Sequence, residues 1–262
     1  MLSGCTGIPT SPTCDEPDHS CNRPLGNGAT SLQSLRSADP AQRAPAGVTV
    51  DARSLQVIAF DGYDETSAGA VGTVYVQQVI AAGDTSNRFS PCPLLDDRSA
   101  RVCVISTYRA VFAPLAYRPS VGDLVDLSGG VYEEFDCSGV CGTPAQPFPN
   151  GAFLPQVNGP TVKSAGVAPQ GGPLHVTVAD LAAHNQELIG TLVQVDDVTA
   201  TAAPDRRGEI AISPAPNAVA LTQEMMPITG VTAGTHWAHI VGVVSYFYTP
   251  KLIPRTPADL VR

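Results

Sequence analysis

The residues best suited to metal or proton chemistry are His19, His175, His184, His236 and His239, and only one pair is close, in "HWAH". A spacing of three on a strand points His236 and His239 to opposite faces, so both read as solvated or core side chains rather than as ligands of one metal. "DGYDE" (residues 61–65) offers oxygen atoms to calcium but is shorter than a calcium loop, and a charged β-turn accounts for it. Asp196-Asp197 and Glu133-Glu134 read as solvated strand edges. "CDEPDHSC" (residues 14–21) combines two thiols with Asp15, Asp18 and His19. Structural zinc takes two close pairs of ligands, and no CxxC occurs, so a cystine-closed loop is the better account. Nucleophile and phosphate-cradling motifs are absent from the sequence. Arg206, Arg207 and Arg255 could serve phosphodiester cleavage if gathered with carboxylates, but nothing in the spacing gathers them. The expectation is a protein that is not an enzyme, with no catalytic residue, no metal and no cofactor.

The seven cysteines are Cys5, Cys14, Cys21, Cys92, Cys103, Cys137 and Cys141. Leu2-Ser3-Gly4-Cys5 resembles a bacterial lipobox, in which the signal peptide is cut before the cysteine and a diacylglycerol is attached to its sulfur. The resemblance implies lipidation at Cys5 and a basic, then apolar, signal segment of which the four preceding residues are only the end. With Cys5 lipidated, six thiols remain in three local pairs: Cys14 with Cys21, Cys92 with Cys103, Cys137 with Cys141. Each closes a short loop, as in an oxidising compartment. The two readings support one another and imply an exported, lipid-anchored cell-envelope protein. Thr6, where an Asp would resemble an inner-membrane retention signal, favours the outer membrane.

Composition agrees with a protein made of strands. Charged residues are 15% of 262, while Gly and Pro number 24 each, which suits an all-β chain with many turns. Hydrophobic residues, at 43%, suffice for a core. A net charge of −9 repels phosphate backbones and acidic membranes, so nucleic acid is not an expected partner. No apolar run approaches the ~18 residues of a membrane span, leaving the lipid as the only expected membrane attachment.

Residues 1–30 read as the lipobox remnant and a flexible, disordered stalk, with the 14–21 loop as its fixed element. Beyond it the chain repeats. "SLQSLRSADPAQRAPAGVTV" and "VADLAAHNQELIGTLVQV" each read as a short helix leading through a glycine into a strand, placing Gly47 against Gly190 and Val50 against Val193. "VGTVYVQQ" faces "RGEIAIS", with Val74 against Ile210. "GDLVDLSGGVYEEF" faces "GTHWAHIVGVVSYF", with Gly130 against Gly242 and Phe135 against Phe247. "FLPQV" faces "LIPRT", with Leu154-Pro155 against Ile253-Pro254. "GTVYVQQV" also resembles "GTLVQVDDV", a different register, but the ordered set keeps four blocks colinear. The first copy has the longer loops, and two of these hold Cys92 with Cys103 and Cys137 with Cys141, where a loop without a core needs a staple.

Each copy is therefore a short helix and about five strands rich in Val, Ile, Tyr and Thr. Mid-strand Gly130 and Gly242 suit the coiling of a small closed barrel. The expected fold is all-β, with two tandem OB-like five-stranded Greek-key barrels at residues 31–168 and 169–262 that meet around residues 165–173. An immunoglobulin-like sandwich fits less well, because Trp237 is the only tryptophan and no Cys…Trp…Cys spacing occurs.

"GVVSYFY" followed by "KLIPRTPADL" resembles the OB-fold modules that accompany secreted bacterial nucleases and recur in envelope lipoproteins. "LRSADPAQRAPAGVTV" with "GTVYVQQ" is similar to their opening strands. The resemblance spans residues 31–262 in two copies and implies a fold more than an activity. Barrels of this kind bind across a sheet face and its flanking loops, which nominates Tyr75, Tyr132, Phe135, Tyr246, Tyr248, Lys251 and Arg255 as a binding surface. Alternation puts Tyr246 and Tyr248 on one face, and the plainer account of these aromatics is that they cap the barrel core. The expected function is a binding or assembly module for an envelope or extracellular protein, or a glycan. The alternatives are an accessory to extracellular nucleic-acid degradation and, third, a phosphodiesterase.

Overall fold

The computed structural model describes residues 44–61, 73–78, 99–103, 120–136, 148, 153–167, 172–213 and 218–262. Among these the chain is all-β, its strands forming two sheets beside two short helices and one 3₁₀ turn. Cys5, Cys14, Cys21, Cys92, Cys137 and Cys141 lie outside the described residues, as do the stalk and most of "DGYDE". Only the backbone of Cys103 is described.

The first sheet contains β1 (Thr49–Asp61), β2 (Thr73–Gln78), β3 (Ser99–Cys103), β4 (Asp123–Phe135), β5 (Leu154–Asn158) and β6 (Thr161–Val167). Their order is β1-β2-β3-β5-β4-β6, and β1 also pairs with β4, so the first five strands return on themselves. The second sheet contains β7 (Leu174–Val176), β8 (Leu192–Thr199), β9 (Ile210–Ala211), β10 (Ala220–Leu221), β11 (His236–Phe247), β12 (Thr249–Ile253) and β13 (Leu260–Val261). Its order is β7-β8-β11-β12-β10-β9, with β13 also on β11. β8 and β9 are joined through Thr201, whose N–H donates to the Ala211 carbonyl at 2.8 Å. Pairings are antiparallel except β3–β5, β7–β8 and β10–β12. Each sheet draws its strands from one half of the chain.

The helix Val178–Ala183 starts where "TVAD" dictates. Thr177 Oγ1 accepts from the Asp180 N–H while Asp180 Oδ2 accepts from the Thr177 N–H, a reciprocal cap. A second helix, Asn185–Leu188, leads through Gly190 into β8, as the repeat pattern predicts.

The repeat register holds at the centre of both halves. Val50 pairs with Gly130 on β1–β4, and Val193 with Gly242 on β8–β11. The Gly47 N–H donates to the Tyr132 carbonyl and the Gly190 N–H to the Val244 carbonyl, each at 2.8 Å. Glycine is required mid-strand by close approach. A Cβ on Gly242 would lie 2.8 Å from the Ile253 carbonyl oxygen, and one on Gly130 would run into Val157 and Pro160. The fifth strand departs from the "FLPQV"–"LIPRT" alignment. Pro155 opposes Glu134 and Pro250 opposes Tyr246, so Leu154-Pro155 corresponds to Thr249-Pro250, four residues earlier than Ile253-Pro254. The apolar pattern misled because Leu-Pro and Ile-Pro look alike locally, whereas register is set by partners across the ladder. β6 also runs through Val167, so residues 165–167 belong to a strand and only the following stretch joins the halves.

Each half has its own core. Val50, Leu55, Val57, Val125 and Val157 pack in the first, and Val195, Trp237, Ile240, Val244 and Leu252 in the second. A third cluster joins them: Ile58, Ala59 and Tyr75 pack with Leu192 and Val243. This is why "LQVIAF" and "IVGVVSYF" are apolar without strict alternation, since strands buried on both faces need apolar residues on both. Each aliphatic side chain buried there contributes about 1.5–3 kcal/mol. Polar bonds frame the contact. Arg255 Nη1 donates to the Ile58 carbonyl at 3.0 Å, and Gln186 exchanges two hydrogen bonds with the backbone of Phe153.

Candidate functional site

The turn between β11 and β12 has one residue. Phe247 pairs with Thr249, leaving Tyr248 at the tip with φ +64°. That left-handed conformation costs an L-residue about 1–2 kcal/mol. The turn is held by Tyr246, whose hydroxyl donates to the Tyr248 carbonyl at 3.3 Å, and burial pushes the Tyr246 phenol up. The Phe247 and Tyr248 rings meet at 4.9 Å and 80°, and both residues are 36% exposed. The Arg207 guanidinium lies 5.0 Å from the Tyr248 ring centroid. It comes from the turn after β8, where Asp205 Oδ1 accepts from the N–H groups of Arg207 at 2.8 Å and Glu209 at 2.9 Å. A short side-chain-to-backbone bridge thus shapes the loop that presents Arg206 and Arg207.

Behind this corner sits a buried cation. Lys251 Nζ donates to Glu209 at 2.8 Å and Glu224 at 3.5 Å and lies 5.4 Å from the Phe247 ring. Gln156, its counterpart in the first half by strand register, donates to Glu133 at 2.9 Å. Aromatic packing runs on from Phe247 to Phe148 at 6.0 Å, and from Phe148 to Tyr246 at 5.7 Å and Phe135 at 5.9 Å. The repeat-equivalent pair Phe135 and Phe247 therefore converges on one ring.

This arrangement can stack a ring against two aromatic planes while a guanidinium grips an acceptor beside it. The chain matches no protein-family model, no curated protein and no solved structure. The function therefore rests on the chemistry of these residues.

The seven nominated residues do not form one surface. Tyr75 is 0% and Tyr132 1% exposed, so both are core side chains: Tyr132 packs in the core of the first half, and Tyr75 in the cluster it shares with Leu192 and Val243 of the second. Phe135 and Tyr246 are partly buried against Phe148. Lys251, at 5%, is consumed by its two glutamates. Arg255 is held by Asp259 through a double contact, Nη2 to Oδ1 at 2.8 Å and Nε to Oδ2 at 3.1 Å. Tyr248 alone of the set is exposed. Strand alternation stops at Phe247, so Tyr246 and Tyr248 do not share a face in the expected way. Phe247, Arg207, Glu209 and Phe148 were not nominated for binding. The signal for the first two was present in "YFYTP", a tight turn made of aromatics, and "DRRG", a charged turn before a strand.

His236 is exposed and His239 partly buried, both beside β8 carboxylates, while Trp237 and Ile240 are buried, Asp197 takes φ +54° and the β8–β11 register runs unshifted through this stretch. His236 Nε2 lies 2.8 Å from Asp197 Oδ1, and His175 Nδ1 lies 3.5 Å from Asp196 Oδ2. Gln194 donates to Asp196 and holds its carboxyl below the usual range, helped by His175 and His239 against a rise from partial burial. Among the described residues no three such side chains converge to hold a metal ion. Glu133 and Glu134 are half-buried acceptors for Gln156 and Tyr132 rather than solvated edges.

Proposed function

We propose that the chain is an exported cell-envelope binding module, lipid-anchored through Cys5 at the outer membrane. In this reading two OB-type barrels after a stalk, residues 31–168 and 169–262, act on a protein or glycan partner without catalysis. Supporting the barrel type is a strand order that recurs. Taking β1 to β5 as strands one to five of the first half and β8 to β12 as those of the second, each contains the path second, third, fifth, fourth, first, with the third and fifth parallel, and in the first half the first strand also pairs with the second. That order suits a small Greek-key barrel, whose ligands sit at the loops between strands one and two and between four and five.

The observation that carries the binding reading is Arg207 over Tyr248. These residues come from those two loops of the second half, and both are exposed. The export reading rests on the lipobox resemblance and the even number of remaining cysteines. Pull-down from a bacterial envelope fraction with the full chain and with Tyr248→Asn tests the module. Retention of one dominant protein or glycan by the first and not the second supports it, and equal retention by both removes the site.

The nucleic-acid accessory reading draws on the same Arg206–Arg207 turn. A net charge of −9 and the carboxylates of Glu209 and Glu224 beside it oppose a polyanion. Fluorescence anisotropy with labelled single-stranded DNA is expected to show no binding at physiological salt. Micromolar binding that falls steeply with salt would favour the accessory reading instead.

A further inference from the structure

We propose that the corner formed by Arg207, Phe247 and Tyr248 recognises a carboxylated sugar, a uronic acid unit of an acidic oligosaccharide; this rests on the binding reading above. Tyr248 holds a backbone conformation that glycine or asparagine adopts at less cost, so the local fold does not ask for tyrosine there. What tyrosine adds is an exposed ring in contact with Phe247 and Arg207. Two ring planes at 80° make a corner rather than a flat platform. A nucleic-acid base stacks parallel to one plane, whereas a puckered sugar presents C–H bonds in several directions and packs into such a corner.

Charge selects an acidic sugar over a neutral one. Behind the corner Lys251 is neutralised by Glu209 and Glu224, which leaves Arg207 and its exposed neighbour Arg206 as the cations of this loop. Arg207 has no carboxylate partner for its guanidinium among the described residues, and its loop is braced by Asp205 through backbone N–H groups. A planar fork beside a ring suits one carboxylate on a stacked sugar, two parallel N–H···O bonds to one group. An exposed guanidinium on a braced loop is complementary to one carboxylate, that of the sugar unit seated in the corner.

The test is calorimetric titration of the full chain with uronate tetramers of the gluco, galacto and manno series, their methyl esters and the neutral tetramers. A single-stranded oligonucleotide and an acidic peptide serve as further probes. Binding is expected for a uronate tetramer, with a loss of about 10- to 100-fold on esterification or in Arg207→Gln. Arg207→Lys, which keeps the charge but not the fork, is expected to fall between. Tyr248→Asn, compatible with the turn, is expected to keep its thermal midpoint and lose binding. Equal affinity for neutral and acidic tetramers overturns the acidic-sugar inference and leaves the module reading standing. Binding only of the peptide or oligonucleotide overturns it in favour of that partner. No binding by any probe overturns it, while the envelope pull-down judges the module reading separately.

Discussion

Arg255 Nη1 donates to the carbonyl of Ile58 at 3.0 Å, 197 residues away in sequence, while its other nitrogens grip Asp259. The guanidinium thus ties the two halves and is itself held rigid. Removing it leaves the buried Asp259 carboxylate without its cation. Arg255→Ala is expected to cost about 3 kcal/mol, read as a lower midpoint in urea unfolding. Arg255→Lys should recover only part of this, because an ammonium cannot replace the fork. A midpoint unchanged in both variants would show that the clamp contributes nothing.

Phe148 is the second tie. It fills the space between Phe135 of one half and Tyr246 and Phe247 of the other. Phe148→Ala is expected to destabilise by about 3–5 kcal/mol through the cavity it leaves. Phe148→Leu, which keeps most of the volume, should cost less. Equal stability of Phe148→Ala and the parent chain, by denaturant titration, would refute the packing role.

Gly242 and Gly130 occupy matching positions but face different obstacles. Alanine at 242 meets the Ile253 backbone, whereas alanine at 130 meets the side chains of Val157 and Pro160. Both should destabilise by about 1–3 kcal/mol through overpacking. Gly242→Ala is expected to cost more, because a paired strand yields less than a valine rotamer. Thermal midpoints of the two variants, measured together, decide the order.

Asp196 sets a pH dependence with a defined sign. Its carboxyl is held below the usual range first by the Gln194 amide, then by His175 and His239, with partial burial acting the other way. A folded-state pKa below the unfolded one stabilises above the unfolded carboxylate pKa, and that contribution is lost as pH falls through the folded value. The group is exposed, so the effect on stability is small. An NMR titration of the carboxyl should move upward in Gln194→Ala and by less in His175→Ala. The reverse order would show that the histidine dominates.

Peptide mapping without reductant is expected to find Cys14 joined to Cys21, Cys92 to Cys103 and Cys137 to Cys141. Free thiols at Cys92 and Cys103 would remove the main support for export.

What the sequence by itself determined is the local content. Alternating β-branched residues made strands, glycines marked close approaches, and the spacing of Val50, Gly130, Val193 and Gly242 carried the register of two pairings. These depend on backbone sterics and near neighbours, which any segment carries with it. The tertiary structure alone decided the fifth-strand offset, since Pro155 and Pro250 are aligned by the strands opposite them. It also decided which aromatics reach solvent. Tyr75 and Tyr248 look alike in sequence, yet one lies under the second half and the other stands at a turn tip beside Arg207. Exposure depends on what covers a residue, and here the cover comes from residues more than a hundred positions away, a distance at which local pattern holds no information.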